Sequence, residues 1–207
     1  IEKKGPLRVL LNFVEKLTYK FSTRVYPNSV GLKEIILENN FALESKIKII
    51  GNGSSNGIDT SYFNPNLFQN KQNLKRKLDI KINEFIFIYV GRIVSDKGIN
   101  ELTKAFNILS KDKKNAKLLL VGPFEEDLDP ISLESKSIID KNKNIITLGY
   151  QNDVRPFFAI SDCLIFPSYR EGFPNVVLQA GAMKIPSIVT DINGCNEIIK
   201  NNFNGLI

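Results

Sequence analysis

The chain has no histidine, no tryptophan, two cysteines and one methionine. Without histidine, a Ser–His–Asp or Cys–His nucleophile pair cannot form among these residues, and imidazole zinc sites are excluded. Cys163 and Cys195 lack Cys-x-x-Cys spacing, so neither a disulfide framework nor a metal knuckle is indicated, and a reducing compartment is expected. No apolar run approaches the roughly 20 residues that cross a bilayer, and no signal-peptide pattern opens the sequence. Charge of one sign is not concentrated either. The 28 Lys+Arg are mixed with 22 Asp+Glu for a net +6, the pattern of a solvated surface, and no nucleic-acid partner is expected. The chemistry left to the chain uses carboxylates, amides, Lys, Arg and backbone N–H groups. The chain starts on Ile1 and stops on Asn204-Gly205-Leu206-Ile207, so it is expected to be a piece of something longer.

What is present, from Phe85 onward, is one unit repeated: a short apolar run, a polar or glycine-bearing loop, then a helical pattern. The runs are Phe85–Val90, Lys117–Val121, Ile145–Leu148, Cys163–Phe166 and Ser187–Thr190. Runs of this length, rich in Ile, Leu, Val and Phe, suit strands buried on both faces of a parallel sheet. Ile99, Leu102, Phe106 and Leu109 fall at helical spacing after the first run. Pro174 fits a first helical position after the fourth. The alternation predicts an α/β, Rossmann-like doubly wound sheet, with ligand-binding loops at the carboxyl edge. Ahead of it, the pattern predicts helices over Leu7–Tyr19 and Val30–Glu38, strands over 24–27 and 47–50, and a charged helical linker over 70–82. A domain boundary is expected near residues 45–50, giving segments 1–47 and 48–207.

Several stretches could carry chemistry. Gly51-x-Gly53-x-x-x-Gly57 follows a strand, but its spacing is one residue too long for a dinucleotide fingerprint and no helix opens after it. An interdomain turn is the better reading. Val90–Gly98 places Arg92 and Lys97 between a strand and a helix, where two cations and a helix N-terminus make an anion site. Pro167–Gln179 also follows a strand and opens a helix. Gly172 and Phe173 offer backbone N–H groups there, Glu171 lies in the loop, and Asn175 and Gln179 share a helix face. A carboxylate beside an anion-binding helix start calls for a polyhydroxyl ligand, which together read as a sugar joined to a diphosphate. Glu125, Glu126, Asp127 and Asp129 form an acidic loop that reads as solvated surface.

The segments IIGNGSSNGIDTSYFNP (49–65), VGRIVSDKG (90–98), PSYREGFPNVVLQAGAM (167–183) and TDINGCNEII (190–199) resemble those of retaining glycosyltransferase family 4. The resemblance runs from about residue 20 to the end. It implies the GT-B fold of two facing Rossmann-like domains, of which residues 48–207 would be the C-terminal, nucleotide-sugar-binding one, truncated. Residues 1–47 would then be the end of the acceptor-binding domain.

By position, the resemblance assigns Arg92 and Lys97 to the donor diphosphate, Glu171 to the donor sugar as first acid of the E-x₇-E motif, and the amides of Gly172 and Phe173 to the phosphate. It places Gly149 and Tyr150 near the nucleobase. The catalytic set it implies is Glu171, Arg92 and Lys97. The second acid falls at Gln179, where the family uses Glu to hold the ribose. A Gln amide accepts a hydroxyl without charge-assisted strength, so weaker ribose binding is expected. Glu197 matches a position near the donor and receives no role. A histidine that assists at the reacting centre commonly belongs to the family's N-terminal domain, consistent with its absence here.

The expected reaction moves a hexose or N-acetylhexosamine from a nucleotide-diphosphate sugar, UDP ahead of GDP, to a glycan or lipid-linked acceptor with retention. It needs no cofactor or metal, serves cell-envelope polysaccharide synthesis, and lies beyond these residues alone. The alternatives are a non-catalytic nucleotide-sugar-binding module and a GT-B sugar epimerase. A cytoplasmic location is expected, at the inner face of the cell membrane if residues 1–28, with six Lys/Arg against two acids, make a peripheral membrane contact. A solvated helix is the other reading of that segment.

Overall fold

The computed structural model describes residues 5–54, 56–127 and 129–207; Lys3 and Lys4 of the basic N-terminal stretch and Ser55 of the glycine-rich turn lie outside them. The chain divides into two compact units, residues 1–56 and 57–207.

The first unit holds α1 (Pro6–Phe21) and α2 (Val30–Glu38). Proline near the start of α1 costs nothing, because its missing N–H would be unpaired there anyway. Leu7, Leu10, Leu11, Val14, Leu17 and Phe21 recur at helical spacing and are all exposed. Tyr19 instead packs against Phe41, with ring centroids 6.4 Å apart. The Ser29 hydroxyl caps α2 by accepting the Leu32 N–H at 3.1 Å. Val25, Ile36 and Ile47 form a small core. The strands predicted over 24–27 and 47–50 reduce to a single parallel bridge, Val25 to Ile47. A parallel pair standing alone lacks the neighbours that sustain a ladder.

The second unit begins with a connection containing α3 (Lys71–Lys77), shorter than the predicted 70–82 because Asp79 takes left-handed backbone, φ 53°. Then come β1 (Phe85–Val90), α4 (Ile99–Asp112), β2 (Ala116–Val121), α5 (Leu133–Lys141), β3 (Ile145–Gly149), α6 (Arg155–Ile160) and β4 (Cys163–Phe166). The chain continues through α7 (Asn175–Ala182), β5 (Ser187–Val189), α8 (Cys195–Ile198) and β6 (Gly205–Leu206). All six strands run parallel in the order β3-β2-β1-β4-β5-β6. This is the expected doubly wound α/β sheet. Its two-residue strand β6 went unread because no apolar run marks it.

The register explains the burial. Phe85 to Val90 pair one-to-one with Ala116 to Val121, and Ile86, Ile88, Tyr89, Leu118, Leu119, Leu120 and Leu164 are all fully buried. Successive strand residues point to opposite faces, so a run buried at consecutive positions must be covered on both. Ile99, Leu102 and Phe106 of α4, Phe158 of α6 and Val177 of α7 supply part of that cover. Each fully buried large apolar side chain contributes roughly 1.5–3 kcal/mol.

The strand order reverses direction between β1 and β4. Ligands bind outside the carboxyl ends of the strands at such a switch point. The loop after β1 and the loop after β4 are the two predicted anion and sugar stretches.

Candidate functional site at the switch point

The loops after β1 and β4 are laced together. Ser95–Lys97 form one 3-10 turn, closed by Gly98 in left-handed backbone (φ 70°), and Gly98 opens α4. A Cβ at Gly98 would lie 2.1 Å from the Pro167 carbonyl oxygen, so only glycine lets the two loops approach this closely. Beside that contact the Tyr169 N–H donates to the Asp96 carbonyl at 3.1 Å, and the Arg170 Nε donates to the Asp96 carboxylate at 3.0 Å. Lys97 and Glu171 complete the lacing: Nζ to Oε1 is 2.6 Å, with the side chains 16 % and 17 % exposed.

The carboxylate that looked awkward beside an anion-binding helix start is therefore balanced by Lys97. Two buried groups lie within its field. Burial pushes the Tyr89 hydroxyl far above its ordinary pKa, Glu171 adds to the rise and Arg92 opposes it. Burial likewise pushes the Cys195 thiol up to about 12, Glu171 adding and Lys97 subtracting. Cys195 stays a thiol near neutral pH and is not a nucleophile.

Arg92 reaches the site from a fixed backbone. The Tyr89 hydroxyl donates to the Arg92 carbonyl at 2.7 Å, and the Ile93 N–H donates to the Pro123 carbonyl at 2.8 Å. The Arg92 guanidinium pairs with Glu125, Nη1 to Oε2 2.8 Å. This corrects the reading of Glu125 and Asp129 as solvated surface, while Glu126 and Asp127 are exposed as expected. The loop after β2 folds back along residues 91–96, with an Ile93–Phe124 bridge extending the strand ladder. Asp129 accepts the Asp96 N–H at 2.6 Å through its carboxylate and the Ser95 N–H at 3.2 Å through its carbonyl. Glu126 does behave as expected, pairing with Lys136 in solvent.

At the start of α7, the N–H groups of Gly172 and Phe173 have no hydrogen-bond partner among the described residues. Pro174 is the residue before the helix, not its first residue as predicted, and Asn175 begins it. The loop before α8 holds this segment from behind. A Cβ at Gly194 (φ 73°) would lie 2.4 Å from the Gly172 carbonyl oxygen. Glu197 Oε1 accepts the Gly194 N–H at 3.3 Å, giving that residue a structural task. Thr190 donates its hydroxyl to the Ser168 carbonyl. Gln179 is half-buried on α7, and its amide makes no hydrogen bond among the described residues. Gly149 ends β3 in left-handed backbone, φ 63°, followed by an exposed Tyr150.

Arg92, Lys97, Glu171, Gly172 and Phe173 thus stand on loops that meet, while Gln179 lies on the helix the second loop opens and Gly149 and Tyr150 follow β3. Sequence reasoning missed Tyr89, Asp96, Glu125, Asp129 and Arg170. Arg170 and Asp96 stand inside the stretches already singled out. Tyr89 directly precedes the first of those stretches, and Glu125 and Asp129 are joined to it only by long-range pairing. A crevice of about 430 Å³ between the C-terminal ends of α4 and α5, lined by Asn107, Lys111, Lys141 and Asn142 among others, lies away from these loops. Lysines line that crevice, but helix C-termini present carbonyl oxygens, so the open N–H groups favour the switch point for an anionic ligand.

The sheet and its switch-point loops define a Rossmann-like α/β domain of the kind found in GT-B glycosyltransferases. The chain belongs to the glycosyl transferases group 1 family, whose model matches residues 70–207. It is similar to the capsular polysaccharide biosynthesis glycosyltransferase CapM of Staphylococcus aureus, 35 % identical over 205 residues, covering 99 % of this chain and 53 % of the relative. It is also similar to the UDP-Gal:alpha-D-GlcNAc-diphosphoundecaprenol alpha-1,3-galactosyltransferase of Escherichia coli, at 28 % identity over 99 % of this chain and 52 % of the relative. Among solved structures, a glycosyltransferase from Rickettsia africae ESF-5 superposes with a TM-score of 0.80 at 28 % identity, over 94 % of this chain and 52 % of that one. The chain spans about half the length of the relatives it matches. No helix among the described residues is long and apolar enough to cross a membrane.

Proposed function

We propose that residues 48–207 form the donor-binding domain, and residues 1–47 the end of the acceptor-binding domain, of a retaining hexosyltransferase. It takes a hexose or N-acetylhexosamine from a UDP-sugar to a glycan or lipid-linked acceptor in cell-envelope polysaccharide synthesis. The observation that carries this reading is the Lys97–Glu171 pair across the switch point, beside the open N–H groups of Gly172 and Phe173. A cation and two N–H groups take the diphosphate, while an acceptor-only carboxylate takes sugar hydroxyls. The Escherichia coli relative, named for a UDP-sugar donor and a lipid-diphosphate acceptor, supports the choice of both substrates. An acceptor of that kind puts the work at the surface of the membrane that carries it.

In this reading the bond from the anomeric carbon to the diphosphate breaks, and an acceptor hydroxyl oxygen bonds that carbon on the same face and gives its proton to the leaving diphosphate. The charge developing on the leaving oxygen is met by Arg92, Lys97 and the two N–H groups. Cations and N–H donors gathered at that charge lower the barrier, and Glu171 holds the sugar in reacting position. Incubating the full-length protein with UDP-sugars and a lipid-diphosphate acceptor should release UDP and give a product with the donor's anomeric configuration by NMR. An inverted product overturns the retaining assignment, and tight UDP binding without turnover favours a non-catalytic module.

Gln179 offers a second measurement. Gln179→Glu should tighten UDP binding about fivefold, the roughly 1 kcal/mol that charge adds to a hydrogen bond. Unchanged or weaker binding by calorimetry would remove Gln179 from the ribose.

A further inference from the structure

We propose that Glu125 is a positioning residue of this site: it parks the Arg92 guanidinium on the loop after β2, and a diphosphate must displace it. The inference rests on the reading of Arg92 as a diphosphate ligand. Three observations carry it.

Arg92 is fixed at its backbone and free at its side chain. Its carbonyl is held by the Tyr89 hydroxyl, and the following N–H is held by Pro123, but its side chain is 49 % exposed and touches one acid, Glu125, which is 29 % exposed. Second, Glu125 is placed for this contact by main-chain bonding, because the Ile93–Phe124 bridge sets the two segments side by side one residue before it. Third, Glu126 and Asp129 have other tasks, and Asp127 is exposed. Glu126 pairs with Lys136, and Asp129 holds the backbone of the Ser95–Lys97 turn. Glu125 alone in this loop is committed to a side chain that the ligand also needs.

A guanidinium engaged at Nη1 keeps its remaining donors, so it can turn toward a phosphate once the carboxylate lets go. The exchange has a cost: the ligand gives up part of its attraction to Arg92 in breaking the resident pair. Half-exposed pairs are weak, so the effect is modest. Glu125→Gln, which keeps the shape and removes the charge, should tighten UDP binding about two- to fivefold. Uridine, which carries no phosphate, should bind the variant and the parent alike.

The experiment is calorimetry of UDP and uridine with the 207-residue chain, Glu125→Gln, Glu125→Ala, Arg92→Ala and the double variant Arg92→Ala/Glu125→Gln. Support is tighter UDP binding in Glu125→Gln, with the gain lost when Arg92 is absent. Unchanged or weaker UDP binding in Glu125→Gln overturns the proposal, as does an equal gain without Arg92 or an equal gain for uridine. Should Glu125→Gln fail to fold, Glu125→Ala decides: it removes the carboxylate that holds the 2.8 Å contact and must show the same tighter UDP binding. If Arg92→Ala binds UDP as the parent does, the diphosphate role of Arg92 fails. If it binds UDP weakly while Glu125→Gln shows no gain, only the role of Glu125 fails.

Discussion

Replacing Lys97 with alanine is expected to lower UDP affinity more than tenfold, a loss above about 1.4 kcal/mol. Two effects combine. The diphosphate loses a cation, and Glu171, 17 % exposed, is left with an uncompensated charge facing the ligand. The same stranded carboxylate should cost about 1–2 kcal/mol of stability, the scale for an incompletely buried group that loses its partner. The double variant Lys97→Ala/Glu171→Gln separates the two effects. It should recover the lost melting temperature, since no unpaired charge remains, and it should not recover UDP binding to the parent's level. Parental UDP affinity in Lys97→Ala, measured by calorimetry, would remove Lys97 from the donor site.

The second large effect concerns Gly98. Gly98→Ala should destabilise the second unit by about 3 kcal/mol, because a methyl at this position meets the Pro167 carbonyl at 2.1 Å in left-handed backbone. For a unit of this size that corresponds to a fall of roughly 6–12 °C in melting temperature. UDP affinity should fall with it even below the transition, since parting the loops separates Lys97 from Glu171. A variant that melts like the parent would show that α4 can withdraw from β4 without strain. A variant that melts early but binds UDP normally would show that the lacing is dispensable for the ligand.

The sheet was legible because burial on both faces forces continuous apolar runs, and five of its six strands carry one. β6 is two residues long and pairs only with β5, so its sequence has nothing to advertise. The first unit misled for a related reason. Residues 24–27 and 47–50 have strand-like composition, yet only Val25 and Ile47 meet. For the candidate site, local signals single out Arg92, Lys97 and Glu171, since each stands between a strand and a helix. What stayed hidden was who holds whom. Arg92 and Glu125 are 33 residues apart, and Lys97 and Glu171 are 74 apart. Nothing in an acidic loop says that one of its carboxylates returns to a strand end while the next faces water.

The seam between β1 and β4 has a consequence for the order of folding. The Ile86 N–H donates to the Asp162 carboxylate across 76 residues of sequence, whereas β1 and β2 are joined by a single helix. Closing the longer loop is the slower event, because more chain entropy is lost before any contact is gained. A chain arrested with only β1, β2 and β3 assembled could already carry the Arg92–Glu125 pair. It could not carry Lys97 against Glu171, or the open N–H groups of Gly172 and Phe173 beside them. On the proposed reading, the groups that would meet the sugar are therefore brought in only when the second half of the sheet docks, and a half-folded chain would offer a nucleotide Arg92 and Lys97 without Glu171 or the two open N–H groups.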